Sequence, residues 1–351
     1  MDTASKDMIA RLVGFDTVSR HSNLALIDWV RDHLAGHGIE SRLVPNAEGT
    51  KANLYATIGP RTEGGVVLSA HTDVVPVDGQ AWDTDPFTVV ERDGRLYGRG
   101  TADMKSFPAV ALALLPEMLK AGLRRPVHLA LSYDEEVGCF GAPAMISRLV
   151  AELPRPAAVI VGEPTGMGIV LAHKGCHAFR TTVIGHEAHS SQLHRGVSAV
   201  MTAARLVGFI DAMCAENRAA ADPASPFEPP YTTLHVGTIG GGTALNIIAR
   251  RCEFLWDIRT VPGDDWRRYF ARFEALCRDE LLPAMRAVSP DCDIRTEVLA
   301  DAPGLRPEPD GEAARLCWAL TGRNATAVVP YGAEGGQYQE AGFPTVLCGP
   351  G

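Results

Sequence analysis

Short apolar runs without polar alternation recur along the first half of the chain, and between them stand stretches whose apolar positions fall at helical spacing. Residues 66–70, 127–132 and 157–161 are runs of the first kind, the pattern of strands covered on both faces in an α/β sheet. Residues 4–14 (Met8, Ile9, Leu12, Val13) and 22–37 (Leu24, Leu26, Ile27, Val30, Leu34) are of the second kind, and Gly36 and Gly38 supply a stop. Residues 41–44 and 53–58 read as further strands, and 106–119 and 142–153 as helices. Strands alternating with helices in this way predict βαβ units.

From about Cys176 the texture changes. Residues 177–184 alternate like a half-exposed strand, GHEAHSS turns, and 196–213 form an amphipathic helix. A loop rich in Ala and Pro, 219–230, precedes two strands, 232–239 and 251–258, that flank a glycine-rich turn. A helix at 266–282 and a strand at 292–298 follow. The order is the ferredoxin-like βαββαβ pattern, which predicts a domain at 176–295 inserted into a first domain made of 1–175 and 296–351. After the insertion a helix at 311–320, a strand at 325–329, the turn YGAEGGQ and a strand at 345–348 return the chain to the first domain.

A length of 351 residues, 46% of them apolar, supplies core for two domains. The net charge of −9 and a pI near 5.7 argue against a nucleic-acid or anionic-membrane surface. No stretch reads as a signal peptide or a membrane span, so the expectation is a soluble cytoplasmic protein. Eight cysteines are scattered without Cys-x-x-Cys spacing, which speaks for reduced, buried fillers rather than a disulfide framework or zinc ribbon.

The chemistry gathers where the strands end. His71 and Asp73 follow the strand at 66–70, and in extended chain residues two apart lean to the same side. That pair can present a metal-ligating imidazole with an acidic partner that fixes its tautomer, or it can be a surface turn. Asp103 follows the turn in GRGTADMK, where it can ligate or cap the next helix. The strand at 127–132 ends on Asp134, Glu135 and Glu136, three adjacent acids that repel one another and call for a neutralising partner unless they are solvated. The strand at 157–161 ends on Gly162 and Glu163.

An imidazole with Asp103, Glu135, Glu136 and Glu163 suits zinc, with cobalt or manganese as substitutes. So many acids are too much charge for a single zinc, and two metals sharing a carboxylate resolve the excess. One of the adjacent glutamates can then remain unligated as general base toward water. The implied reaction is metal-assisted hydrolysis of an amide, with an imidazole from elsewhere helping the oxyanion.

HTDVVP, GRGTADMKS, DEEVG, GEPT, GHEAHSS, GGTALNIIA and DIRTVPG, in this order over nearly the whole chain, resemble the aminoacylase, acetylornithine deacetylase and succinyl-diaminopimelate desuccinylase family of di-zinc amidohydrolases and exopeptidases. AHKG at 172–175, AHSS at 188–191, NIIA at 246–249 and LCGPG at the end are most similar to its acetylornithine deacetylase branch. The resemblance implies a zinc-peptidase-like catalytic domain with a mixed sheet and an inserted α+β domain that makes a homodimer. It implies deacetylation of N2-acetyl-L-ornithine to ornithine and acetate, a step of arginine biosynthesis, with succinyl-diaminopimelate desuccinylase or a dipeptidase or carboxypeptidase as alternatives. By position, His71 and Glu163 would bind one zinc, Glu136 the other, and Asp103 would bridge. Asp73 would orient His71, Glu135 would be the base, and His189 would reach the partner subunit's active site to assist the oxyanion. Arg259 and Asn246 match positions that hold the substrate carboxylate, a task for which an Arg fork is suited. The family's second zinc takes a further His shortly after the closing Gly-Pro-Gly, and the sequence stops at Gly351. The expectation is a fragment lacking its C-terminal ligand, the alternative a weakened second site.

Rival readings remain for these residues. A facial triad of a non-haem iron oxygenase also uses His-x-Asp with a distant His, but it needs fewer carboxylates and favours an all-β scaffold. A non-catalytic binder of N-acyl amino acids is a second rival. Phosphate binding is disfavoured, because GTIGGGTAL has no Lys-Ser/Thr ending.

Overall fold

The computed structural model describes residues 1–351, and the chain divides into two compact units. The first comprises Met1–His173, Leu305–Val328 and Ala333–Gly351; the second comprises Lys174–Gly304 and Val329–Gly332.

In the first unit, helices α1 (Thr3–Val13) and α2 (Leu24–Gly36) precede strands β1 (Ser41–Pro45), β2 (Ala52–Ile58) and β3 (Val66–His71). A hairpin, β4 (Val90–Arg92) and β5 (Arg95–Tyr97), leads to α3 (Ser106–Ala113) and α4 (Leu115–Lys120). Then come β6 (Val127–Ser132), α5 (Ala142–Glu152), β7 (Ala158–Val161) and β8 (Ile169–His173). The second unit holds β9 (Cys176–Ile184), α6 (Ala199–Ala219), β10 (Thr233–Gly241), β11 (Arg251–Arg259), α7 (Trp266–Ala275), α8 (Leu282–Arg286) and β12 (Asp293–Ala302). The chain closes with α9 (Glu312–Thr321), β13 (Thr326–Val329), α10 (Gly335–Glu340) and β14 (Thr345–Leu347).

Eight strands in the order β1-β2-β6-β3-β7-β14-β8-β13 form the main sheet. Its centre, β6-β3-β7-β14, is parallel, while β1, β2 and β8 pair antiparallel, so the sheet is mixed as expected. One face packs Leu54, Leu129 and Leu131 under Ile9, Ile27, Val30 and Leu112 of the flanking helices. Strands this completely buried have no polar face to alternate, and the apolar runs in the sequence reflect that.

The second unit is a four-stranded sheet in the order β10-β11-β9-β12, all antiparallel. That order and the βαββαβ succession make it ferredoxin-like. Phe179, Val183, Phe254 and Trp256 on one face pack against Leu206, Ile210, Tyr269 and Phe273 of the helices. The expected return to the first domain at 296 falls inside β12, which pairs with β9 as far as Ala302 opposite Cys176. The insertion therefore extends to Gly304, because cutting it at 295 would sever that ladder.

Other departures have local causes. The helix expected at 106–119 breaks at Leu114, since Pro116 has no N–H to continue the ladder. The helix expected at 266–282 runs on to Arg286 through a π turn, Leu276–Leu281, just before Pro283. Helix α6 starts late because Ser198 caps it, accepting from Met201 N at 3.2 Å. The hairpin β4–β5 went unread although Asp93-Gly94, with φ of 52° and 72°, is a hairpin turn signal. Strand β8 and the short helix α10 also escaped the pattern.

His128 on β6 is buried, with Nδ1 3.0 Å from Thr57 Oγ1 and Nε2 without a partner. Burial, aided by the charge of Arg61, pushes its pKa down to about 4. An unfolded chain would take up a proton below the ordinary value near 6.5, so this stability is present above that pH and is lost as pH falls toward 4. Replacing His128→Leu should flatten that segment of the stability profile. The wild-type minus variant difference should shrink by up to ~3 kcal/mol between pH 7 and 4 in urea unfolding, and a pH-independent difference would refute the assignment.

Candidate metal centre

Parallel strands deliver the chemical groups to one edge of the main sheet. His71 of β3 stands opposite Ser132 of β6, and Ser69 opposite Val161 of β7. The residues that follow these strands therefore emerge side by side: the acidic turn 134–136 after β6, and Glu163 after β7. Open α/β sheets place their ligands at this carboxyl edge.

Asp103 reaches the same place from the loop before α3. The cap position of that helix is Lys105 and carries no side-chain capping bond, so Asp103 does not serve as a cap. Its Oδ1 lies 3.0 Å from His71 Nε2. The candidate ligand atoms of His71, Asp103 and Glu163 all lie within 4.8 Å of one another. His71 is 1% exposed and the Asp103 side chain 49%, so the cluster opens to solvent over Asp103.

The ring of His71 is held from behind. Nδ1 donates to the backbone carbonyl of Asp73 at 2.8 Å, while the Asp73 carboxylate stands 3.6 Å away. With Nδ1–H committed, a neutral ring turns its Nε2 lone pair toward Asp103, as a ligand must. Asp73 uses its carboxylate elsewhere. It accepts from Ser19 Oγ at 2.7 Å and from the backbone N–H groups of Glu135 and Glu136 at 3.1 and 3.3 Å. The acidic turn is thus anchored to the strand that carries the imidazole.

Two close approaches set the loops. The thioether of buried Met104 accepts from His71 N at 3.4 Å, and the Asp103–Met104 peptide is cis. A Cβ on Gly162 would lie 2.1 Å from the Phe107 ring, so only glycine lets the helix after Asp103 press on the strand end before Glu163.

The neutralising partner expected for the three acids exists for one of them. Lys51 pairs with Asp134. Glu135, Glu136 and Glu163 lie in a field of their own charges, joined by Glu334, a buried acid at the start of α10 that the glycine-rich turn YGAEGGQ had hidden. Burial, reinforced by neighbouring carboxylates, pushes Glu163 up to about 8 and Glu136 up to about 7, and raises Glu135 well above the ordinary range. Burial likewise pushes Glu334 up to about 7. For His71 burial opposes the charged ring, but the bond to Asp103 and the charges of Glu135, Glu163 and Asp73 outweigh it and raise its pKa well above 6.5.

Glu163 Oε1 is buried with no hydrogen-bond partner. An orphaned carboxylate oxygen beside an imidazole nitrogen and a second carboxylate, in a region crowded with negative charge, fits a divalent cation. The geometry unites His71, Asp103 and Glu163; the Glu136 carboxylate stands outside that group.

A model of peptidase family M20/M25/M40 matches residues 67–351. The chain belongs to this family. A Myxococcus xanthus protein named acetylornithine deacetylase is 35% identical over 355 residues, covering 99% of this chain and 89% of that protein. Among solved structures, a metallo-carboxypeptidase of the M20 family from Sulfolobus solfataricus superposes with a TM-score of 0.75 at 18% identity, covering 99% of this chain and 91% of that one. A tripeptidase from Staphylococcus aureus gives 0.72 at 19% identity, covering 98% and 89%, and human carnosine dipeptidase 1 gives 0.72 at 16%, also covering 98% and 89%. Likeness at this identity carries the fold. With the family and the His71–Asp103–Glu163 cluster together, the protein is a metal-dependent hydrolase.

The remaining sequence candidates belong to the second unit. His189 is exposed and caps the turn Ser190–Arg195, its Nδ1 accepting from Ser191 N at 3.2 Å. Its backbone bridges Ile247, and Ser190 N donates to Asn246 O at 2.9 Å, so His189 and Asn246 are neighbours. Arg259 Nε pairs with Asp257 Oδ2 at 2.8 Å.

Glu163→Gln keeps the shape of the side chain and removes its charge. Metal bound per chain after dialysis, measured by elemental analysis, should fall by more than the roughly 10–100-fold in affinity that losing an outer partner costs. Undiminished metal would take Glu163 out of the first coordination shell.

Proposed function

We propose that the protein hydrolyses the amide bond of an N-acyl amino acid, with N2-acetyl-L-ornithine as the leading substrate and ornithine and acetate as products. The observation that carries this reading is the 35% identity, across 99% of the chain, to the Myxococcus xanthus protein of that name. Two zinc ions, replaceable by cobalt or manganese, would suit the nitrogen and oxygen donors: His71 and Glu163 would hold one, Glu136 the other, and Asp103 would be shared. Bound metal polarises the substrate carbonyl and brings the pKa of water to about 7.

Glu135 then receives the proton of the attacking water and returns it to the leaving amine nitrogen. Its neighbours support that role, since burial and surrounding acids raise its proton affinity. His189 assists the carbonyl oxygen as charge develops there. The Ser191 N–H donates to its Nδ1, so the neutral ring carries its proton on Nε2 and is a donor. Arg259, with Nε held by Asp257, and Asn246 grip the substrate carboxylate.

A homodimer through the second unit would let His189 serve the partner's site, and two features of that unit favour such pairing. Strand β10 is an edge of its sheet and largely exposed, and the same unit leaves Leu193, Met201, Ile239 and Leu245 in solvent. Unpaired edges with exposed apolar side chains invite pairing with another copy. No helix of the chain is long and apolar enough to cross a membrane.

A hydrolysis panel of N2-acetyl-ornithine, N-succinyl-diaminopimelate and dipeptides, run on the zinc-loaded protein, tests the substrate. Acetyl-ornithine should give the highest kcat/KM, and a dipeptide preference would overturn the assignment. Glu135→Ala should retain metal and lose about 10²–10⁴ in kcat, and an unchanged rate would remove it as base. Mixing Glu135→Ala chains with His189→Ala chains should restore activity neither variant has alone. If mixing restores nothing, His189 does not act across a dimer.

A further inference from the structure

The turn that carries Glu135 folds back on itself. Gly138 N and Cys139 N both donate to the Glu135 carbonyl at 3.0 Å, and Phe140 N donates to Asp134 O at 3.1 Å. This winding returns residue 139 to residue 135, and the Cys139 thiol lies 3.4 Å from Glu135 Oε1, oriented to donate. Cys139 is buried and its φ is +57°, a left-handed conformation that glycine would adopt with less strain. Its place is secured from outside the turn. Gln337 Nε2 donates to the Cys139 carbonyl at 3.1 Å, and Asn53 bonds Gly141 O at 2.9 Å and Tyr133 N at 3.2 Å.

We propose that Cys139 is a positioning residue for Glu135, its thiol holding one carboxylate oxygen so that the other is aimed for proton transfer. The proposal rests on Glu135 being the base. A thiol is suited to this, because it is small, apolar and a weak donor. It fixes the carboxylate without the cation that Lys51 gives Asp134, and so leaves it a base.

The test uses the metal-loaded enzyme with the N-acyl amino acid it hydrolyses fastest. Cys139→Ala should lower kcat roughly five- to tenfold, the worth of one modest hydrogen bond, with KM and metal content unchanged. Cys139→Ser, which keeps a donor, should recover most of the loss, and Cys139→Ala should cost nothing further in a Glu135→Ala background. Infrared spectroscopy reads the contact apart from turnover. The S–H stretching band removed by Cys139→Ala should sit at lower frequency than that of a free thiol, and Glu135→Ala should move it up. A band at the free-thiol frequency would overturn the proposal. So would full kcat in Cys139→Ala when Glu135→Ala is inactive, or a loss of metal that accounts for the lower rate. A lowered band with unchanged turnover in Glu135→Ala would instead sink the base reading, and the catalytic purpose of the contact with it.

Discussion

Carboxyl groups crowded at one sheet edge, where burial and their neighbours disfavour the charged form, are the constraint on which the site depends. Glu135, Glu136, Glu163 and Glu334 each have their pKa raised, first by burial and then by one another. Such a cluster is unfavourable in a bare protein, and only a fold that over-determines the backbone can keep it. The parallel register of β6, β3 and β7 does so by fixing where each acid-bearing loop starts. Asp73 adds a second tie, since its carboxylate accepts from both the Ser19 hydroxyl and the N–H groups of the acidic turn. The imidazole and the acids are thereby parts of one hydrogen-bonded frame, whose nitrogen and oxygen donors fit a divalent cation.

Much of this was legible in the sequence because burial writes a plain signal. Strands covered on both faces must be apolar throughout, so 66–70 and 127–132 were readable as strands and their polar successors as a site. The ferredoxin-like order of the insertion was readable for the opposite reason, its strands alternating where one face meets solvent. What stayed hidden depends on contacts between distant residues. Glu334 lies among glycines with nothing in its neighbourhood to mark it as buried, and only the packing of α10 brings it beside Ser69. Cys139 read as a filler and Met104 carried no signal, because a sulfur's hydrogen-bonding role appears only with its partner's coordinates. The pairing of Lys51 with Asp134 spans 83 residues and has no local trace.

The fold and the substrate are written at different levels. Solved structures at 16–19% identity share the scaffold, so the backbone arrangement tolerates replacement of most side chains. Family membership, with the cluster at the sheet edge, therefore carries metal-dependent hydrolysis.

The closing rung of the second unit has a topological consequence. Ala302 stands opposite Cys176, so the segment enters and leaves through two neighbouring strands. To the chain around it, some 130 residues span no more distance than a tight turn does. The entropy of bringing the two flanks together is met inside the inserted piece, as it closes its own sheet. The ends of the segment thus lie about one strand spacing apart, near 4.8 Å.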